Sequence, residues 1–359
     1  MKILQVITTL QTGGAERLIV DMVPMYQKAG HQVDVLLFDG SESPFKKELE
    51  SKGVNVSSLG IKKPIYSLSF IFRLIPIIRE YDIVHTHNTA CQFFVVLASL
   101  FLRKRPKLVT TEHNTYNRRR AIPGFKLIDK FIFRKFDTII PISTQACENL
   151  KEQVGNLPSI HTIFNGVNLA KFTEAQPLDR NELKVSPDDY IMAMVAGFRE
   201  QKDHETLIRS LKYLPSNFKL WLIGDGERKK EMELLVGQEN LSDRVVFWGI
   251  RTDVARILKT ADVVVMSSHW EGLSLSSIEG MCVGKPFVAS DVDGLHEIVD
   301  GYGVLVPHQD AKALADAVLN LQGNQNYSRQ VAEQCSARAS NYDISKTIKQ
   351  YLNVYRQLA

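Results

Sequence analysis

Cysteine is scarce. Its four copies, Cys91, Cys147, Cys282 and Cys335, are widely separated and form no Cys-x-x-Cys pair. This spacing argues against a disulfide frame or a zinc knuckle and fits a reducing cytosol. Long apolar runs are missing too, since no uncharged stretch reaches the roughly 20 residues of a spanning helix. The first ten residues, MKILQVITTL, carry one lysine and no small-residue cleavage site, so they are expected to form a core strand rather than a signal peptide. There is no low-complexity tract and no short internal repeat.

The chain has 359 residues, 44% hydrophobic and 23% charged, which is ordinary for a globular protein and too long for one small core, so two domains are expected. Net charge is +4 but unevenly placed. Residues 1–165 hold 22 Lys/Arg against 14 Asp/Glu, whereas the remainder holds 22 against 26. Within 101–135 there are 11 basic residues and only two acidic ones, Glu112 and Asp129. The first half is therefore expected to meet an anionic surface or to present a solvated basic face. No nucleic-acid partner is expected.

Short β-branched runs alternate with helical patterns along the whole chain. Strands are expected at 2–8, 32–38, 54–59, 82–86, 107–111, 137–141 and 160–163, and then at 190–196, 218–223, 244–247, 262–266, 286–290 and 304–306. Near-continuous apolar strands with helices between them imply parallel sheets covered on both faces. Two doubly wound α/β halves follow, joined near Asn165-Gly166-Val167-Asn168. Ligands in such sheets sit at the carboxyl ends of strands, which directs attention to the loops there.

Thr12-Gly13-Gly14-Ala15 follows the first strand and opens a helix, a phosphate-type turn or a plain tight one. It has neither the G-x-G-x-x-G spacing nor that of a P-loop. His85-Thr86-His87-Asn88 and Glu112-His113-Asn114 end two neighbouring strands. His113 is placed to hydrogen-bond a sugar hydroxyl or developing charge, His85 is expected to be structural, and no metal is expected. In the second half Arg199 and Lys202 could clamp a diphosphate. Trp248-Gly249-Ile250 ends a further strand and could take a flat base edge, with Trp248 alternatively in the core.

The stretch Trp270-Glu271-Gly272-Leu273-Ser274 leads into a helix expected to start near Ser274, whose free N–H groups face the preceding loop. Glu271 precedes that helix and Glu279 lies inside it, within an apolar stripe where a carboxylate needs a partner.

This assembly resembles the retaining glycosyltransferases of family 4. The Glu271 to Glu279 spacing is similar to that family's paired glutamates, and the match continues through Gly284-Lys285-Pro286, Gly294-Leu295-His296-Glu297 and Gly303 to Pro307. Phe164 to Asn168 resembles its interdomain linker. The resemblance implies a GT-B fold, two Rossmann-like domains facing across a cleft, at 1–168 and 169–344, with helix 345–359 returning to the first. It implies a UDP- or GDP-linked sugar donor as co-substrate with no further cofactor. The acceptor would be a saccharide or lipid-linked saccharide, in surface-polysaccharide synthesis. Glu271 would bind the donor sugar and Glu279 the ribose. Lys202, with amides near Gly272, Leu273 and Ser274, would hold the diphosphate, and Gly13 and Gly14 would approach the phosphates. His113 would face the reacting sugar, and 248–250 would cover the base. The family's clamp arginine is absent, because Gly197 occupies its place with Arg199 nearby. A nucleotide-sugar epimerase and a non-catalytic nucleotide-sugar-binding subunit are the alternatives.

Finally, Pro123 to Phe136 alternates bulky apolar and basic residues beside Arg118-Arg119-Arg120. It reads either as a surface for an anionic membrane or as a core helix with a basic outer face. A cytoplasmic protein, peripheral at the inner membrane face, is the expectation.

Overall fold

Successive residues of a strand point to opposite faces, so a strand buried on both sides needs apolar residues at consecutive positions. Residues 2–7 meet that condition. Ile3 and Ile7 enter one core cluster and Leu4 and Val6 the other, so both faces of the strand are covered. The structure is a computed structural model that describes all residues except 12, 63, 114–123, 158, 184 and 359. Thr12, Asn114, Arg118 to Arg120 and Pro123 therefore lie outside the described residues.

Contacts divide the chain into two units, Met1–Gly166 with Ile344–Ala359, and Val167–Asp343. The first holds β1 (Lys2–Ile7), β2 (Gln32–Leu37), β3 (Val56–Ser58), β4 (Ile83–Thr86), β5 (Lys107–Glu112) and β6 (Thr138–Pro141). They form one parallel sheet in the order β3-β2-β1-β4-β5-β6. The second holds β7 (Tyr190–Val195), β8 (Phe218–Ile223), β9 (Val245–Gly249), β10 (Val263–Met266), β11 (Phe287–Ser290) and β12 (Val304–Val306). Its order, β12-β11-β10-β7-β8-β9, is the same doubly wound pattern. Each sheet reverses its winding once, between β1 and β4 and between β7 and β10, and a crevice for ligand opens at such a point.

One expected strand is absent. Residues 160–163 lie along β6 with a single bridge, Ile139 to Ile160. Ile139 donates to the Ser159 carbonyl, and His161 and Ile163 donate to the Ile139 and Pro141 carbonyls. Pro141 has no N–H to return, so the ladder stops there.

The last helix, Ile344–Leu358, buries Ile344, Thr347, Ile348, Tyr351, Leu352 and Tyr355, one stripe of a 3.6-residue period. That stripe packs in the first unit's core, where the Tyr26 and Tyr355 rings meet edge-on at 5.8 Å.

Candidate functional site

The second switch point lies where the loops after β7 and β10 leave the sheet, and backbone hydrogen bonds tie these loops together. Asp203 donates its amide to the Ser267 carbonyl at 3.1 Å, His269 donates to the Gln201 carbonyl at 2.9 Å, and Lys202 bridges Ser268. This stitching brings together two residues 69 positions apart, Lys202 and Glu271, as an ion pair. Their side chains are only 11% and 6% exposed, so the pair is largely withdrawn from water. Glu271 also accepts from Gln201 Nε2 at 2.9 Å and Ser268 Oγ at 2.8 Å. A buried carboxylate with three donors is well satisfied. An ammonium has three N–H donors, and Lys202 uses one on Glu271 and a weak one on Met266 Sδ at 3.6 Å. The third has no acceptor among the described residues.

The Glu271-Gly272 turn is held from below by Gly294. A Cβ there would meet the Gly272 carbonyl at 2.4 Å, and its φ of +81° also suits glycine. Glu271 donates its amide to the Asp293 carbonyl at 3.2 Å. The next three amides, of Gly272, Leu273 and Ser274, have no acceptor among the described residues. They precede the helix Leu275–Cys282, at its positive end. Ser274 is the N-cap residue, but its hydroxyl accepts from Ser277 Oγ at 2.8 Å instead of capping. Glu279 is half-buried on this helix, with its own interactions.

The loops after β7, β8 and β9 also converge. Phe198 donates to the Asp225 carbonyl at 3.1 Å and Gly224 to the Gly249 carbonyl at 2.9 Å. Gly224 has φ +140°, and a Cβ there would strike the Ala196 carbonyl at 2.0 Å, so only glycine lets the two loops close. Arg199 is exposed, and its side chain makes no hydrogen bond or ion pair among the described residues. Trp248 is half-buried against Trp221 at 5.3 Å, its indole N–H lacks a partner among the described residues, and Ile250 is exposed. Trp248 therefore serves the core face of this turn, and Gly249 and Ile250 its open side.

In the first unit, Gly13 is the N-cap of helix Gly14–Lys28 and has no side-chain cap. Its φ of −173° is extended backbone open to any residue, and the limit on a Cβ is the Glu16 carboxylate at 2.2 Å. Arg17 pairs with Asp21 and Glu48 and is committed.

At the β1/β4 switch point lies a run of neutral hydrogen bonds that sequence reasoning did not find. Gln5 Nε2 donates to Tyr355 Oη at 3.3 Å, and Tyr355 Oη shares a hydrogen bond with His85 Nδ1 at 2.6 Å. His85 Nε2 shares a hydrogen bond with Thr111 Oγ1 at 2.8 Å, and Thr111 meets Tyr351 Oη at 3.0 Å. The Gln5 carbonyl accepts from His87 Nε2 at 2.6 Å, which leaves His87 Nδ1 to accept from His113 Nε2 at 3.1 Å. His113 thus keeps its proton on Nε2, and its Nδ1 accepts from no donor among the described residues. Burial holds all three imidazoles neutral, lowering His85 to about 3, His113 to about 4, and His87 well below its ordinary value. His85, near the end of β4, and His87, just beyond it, are two residues apart and share a face, a period-2 signal that was visible in the sequence.

The helix Phe125–Phe133 buries Asp129, Ile132 and Phe133 and exposes Leu127, Ile128 and Phe131 beside Lys126, Lys130 and Lys135. Among the described residues no helix is long and apolar enough to cross a membrane. A surface depression of the second unit, about 660 Å³, opens at the opposite, amino ends of β10 and β11 beside Lys285 and Arg329. It touches none of the loops above. An open dish without converging amides is a poorer ligand site than the switch point.

Two sheets of this winding define an α/β protein of the GT-B class. Residues 175–339 match the family described as Glycosyl transferases group 1, and residues 12–171 the one described as Glycosyltransferase Family 4. The chain belongs to this glycosyltransferase family. It is 26% identical to EpsF of Bacillus subtilis over 99% of this chain and 96% of that protein. It is 26% identical to the Escherichia coli UDP-Gal:α-D-GlcNAc-diphosphoundecaprenol α-1,3-galactosyltransferase, over 74% of this chain and 72% of that one. Anabaena HepE, solved with UDP and glucose, superposes with a TM-score of 0.85 at 21% identity over 99% of both chains.

Proposed function

We propose that this glycosyltransferase is a retaining hexosyltransferase. It moves a hexose from a UDP- or GDP-linked donor to a saccharide or lipid-linked saccharide, in surface-polysaccharide synthesis at the cytoplasmic face of a membrane. The observation that carries the reading is the buried Lys202–Glu271 pair beside three unpaired amides at the β7/β10 switch point. Breaking a glycosyl–phosphate bond leaves negative charge on the diphosphate. The remaining Lys202 N–H and the amides of Gly272 to Ser274 are donors fixed in place before that charge develops, and this is the arrangement that lowers a barrier; the exposed Arg199 adds a further cation to the same loop. No metal takes part in this step. The acceptor hydroxyl enters on the face the diphosphate leaves, and its proton passes to the departing phosphate oxygen.

In the same reading Glu271 accepts from donor-sugar hydroxyls, Glu279 from the ribose hydroxyls, and Gly249 and Ile250 lie on the base. His113 Nδ1 accepts from a hydroxyl of the reacting sugar, and Gly13 and Gly14 admit the phosphates. Two relatives lend support by their names: one acts on a diphosphoundecaprenol-linked sugar with UDP-Gal, and one was solved with UDP and glucose.

The test is nucleotide release from UDP-glucose and GDP-mannose, with and without a diphosphoundecaprenol-linked saccharide, in excess EDTA. Release of UDP or GDP only with acceptor, with the anomeric configuration kept in the product, is expected. Release without acceptor accompanied by sugar epimerisation would establish the epimerase instead, and donor binding without release the non-catalytic subunit.

A further inference from the structure

Asp203 ends the loop after β7, is 2% exposed, and has two oxygens with different fates. Oδ1 accepts from the Thr206 amide at 3.0 Å and caps the helix His204–Ser210. Oδ2 is buried with no hydrogen-bond partner among the described residues. A carboxylate withdrawn from water calls for a counter-charge. Lys202, its chain neighbour, is paired with Glu271 and does not supply one.

Two imidazoles stand beside this carboxylate. His269 follows β10 and His308 follows β12. His269 Nδ1 lies 2.9 Å from His308 Nε2, with the rings edge-on at 82°. One ligand atom from each of Asp203, His269 and His308 falls within 4.8 Å of the others.

We propose that Asp203, His269 and His308 form a binding site for a divalent transition-metal cation of the zinc type. One carboxylate and two imidazoles make a three-ligand set of borderline donors, which favours zinc, cobalt or nickel over magnesium or calcium. A tetrahedral ion with bonds of about 2.0–2.2 Å leaves a fourth position for water. The positions of Asp203 and His269 are already set, because the Asp203 amide bonds the Ser267 carbonyl and the His269 amide bonds the Gln201 carbonyl. His308 is exposed and less constrained. The ion carries no step of the transfer proposed above. It clips together three loops, two of which carry Lys202 and Glu271 one and two residues from its ligands.

The test uses the full chain, stripped with chelator and dialysed, then titrated with Co²⁺ while the visible d–d absorption is followed. One Co²⁺ per chain with a low-coordinate spectrum, displaced by Zn²⁺, is expected, together with a rise in Tm. Asp203→Asn keeps the capping oxygen and removes the charge, while His308→Ala alters an exposed side chain. Each should lose the absorption and the Tm shift with its far-UV circular dichroism unchanged, and His161→Ala, at an exposed histidine elsewhere, should keep both. A wild-type protein that binds no Co²⁺, or a spectrum that survives in Asp203→Asn and His308→Ala, overturns the proposal. The readout is metal absorption, so it is independent of what the protein transfers.

Discussion

At the β1/β4 switch point three imidazoles, a glutamine, a threonine and two tyrosines satisfy one another without a formal charge. At the β7/β10 switch point, reached by the same strand order, stand a lysine, a glutamate and a row of unpaired amides. The two sheets differ little in winding, so topology does not account for the contrast. What differs is the material brought to the crevice. In the first unit a helix from the far end of the chain fills one face of the sheet and hands two tyrosine hydroxyls to the strand ends, while the second fixes its crevice by stitching two of its own loops. A neutral network holds a hydrogen-bonding group in one tautomer. A charged pair beside free amides is prepared for charge that arrives and leaves.

The largest change should follow removal of the cation. Lys202→Ala is expected to lower kcat on the order of 10²- to 10³-fold, the scale of losing one preorganised donor to a developing anion. It also strips Glu271 of its counter-charge, with a stability loss of about 3 kcal/mol. Steady-state kinetics with a nucleotide-sugar donor, and urea unfolding of the same samples, measure the two effects. A near-wild-type kcat in Lys202→Ala would deny the second switch point its assigned chemistry.

Acid should separate the units next. His85 and His113 have folded pKa values of about 3 and about 4, depressed by burial, so the native state binds fewer protons than the unfolded chain below the ordinary histidine value of about 6.5. Stability from this source is therefore complete above that pH and is lost as pH falls. His113 alone accounts for about 3 kcal/mol by pH 4. The first unit has three such histidines, the second only His204 among its buried ones, lowered by burial to about 4. Hydrogen exchange followed by mass spectrometry, corrected for intrinsic rates, should show Met1–Gly166 and the last helix losing protection before Val167–Asp343 as pH is lowered from 7 to 4.5. The reverse order would mean that the histidine network does not govern the first unit's stability.

How far the sequence discloses this arrangement depends on the distance over which each feature is built. The strands are local: β-branched runs such as Val263–Met266 are readable wherever both faces are buried, and twelve of the thirteen expected strands are present. The missing one turns on Pro141, whose lack of an N–H matters only once residues 160–163 lie beside it. The helix after Ser274 was legible within one residue because Leu275, Ile278 and Met281 keep a helical period. Contacts between distant residues were not legible. Nothing in Lys202 or Glu271 singly announces that each neutralises the other, and His269 and His308 are 39 residues apart. The tyrosine hydroxyls reach His85 and Thr111 from 270 and 240 residues away. Periodicity marks Tyr351 and Tyr355 as core residues but is silent on their polar ends.

The smallest expected change in stability tests the charge asymmetry on the outer surface of the first unit. Leu127 is 74% exposed on the helix Phe125–Phe133, and Phe131, one turn on, is 47% exposed, with the Lys135 ammonium 5.1 Å over its ring. Side chains that project into water contribute little to folding, so Leu127→Ser with Phe131→Ser should shift the unfolding free energy by no more than about 0.5 kcal/mol. At a membrane the same two side chains would each bury apolar surface worth about 1.5–3 kcal/mol, and neighbouring lysines would add about 1 kcal/mol apiece on an anionic bilayer. The double variant should therefore fold as the wild type does and yet float far less with vesicles containing phosphatidylglycerol at low salt. Wild-type flotation should itself weaken as salt rises, because the lysine contribution is screened. If wild type and variant partition alike, the exposed row is an ordinary solvated helix face, and the acceptor must reach the enzyme without help from this surface.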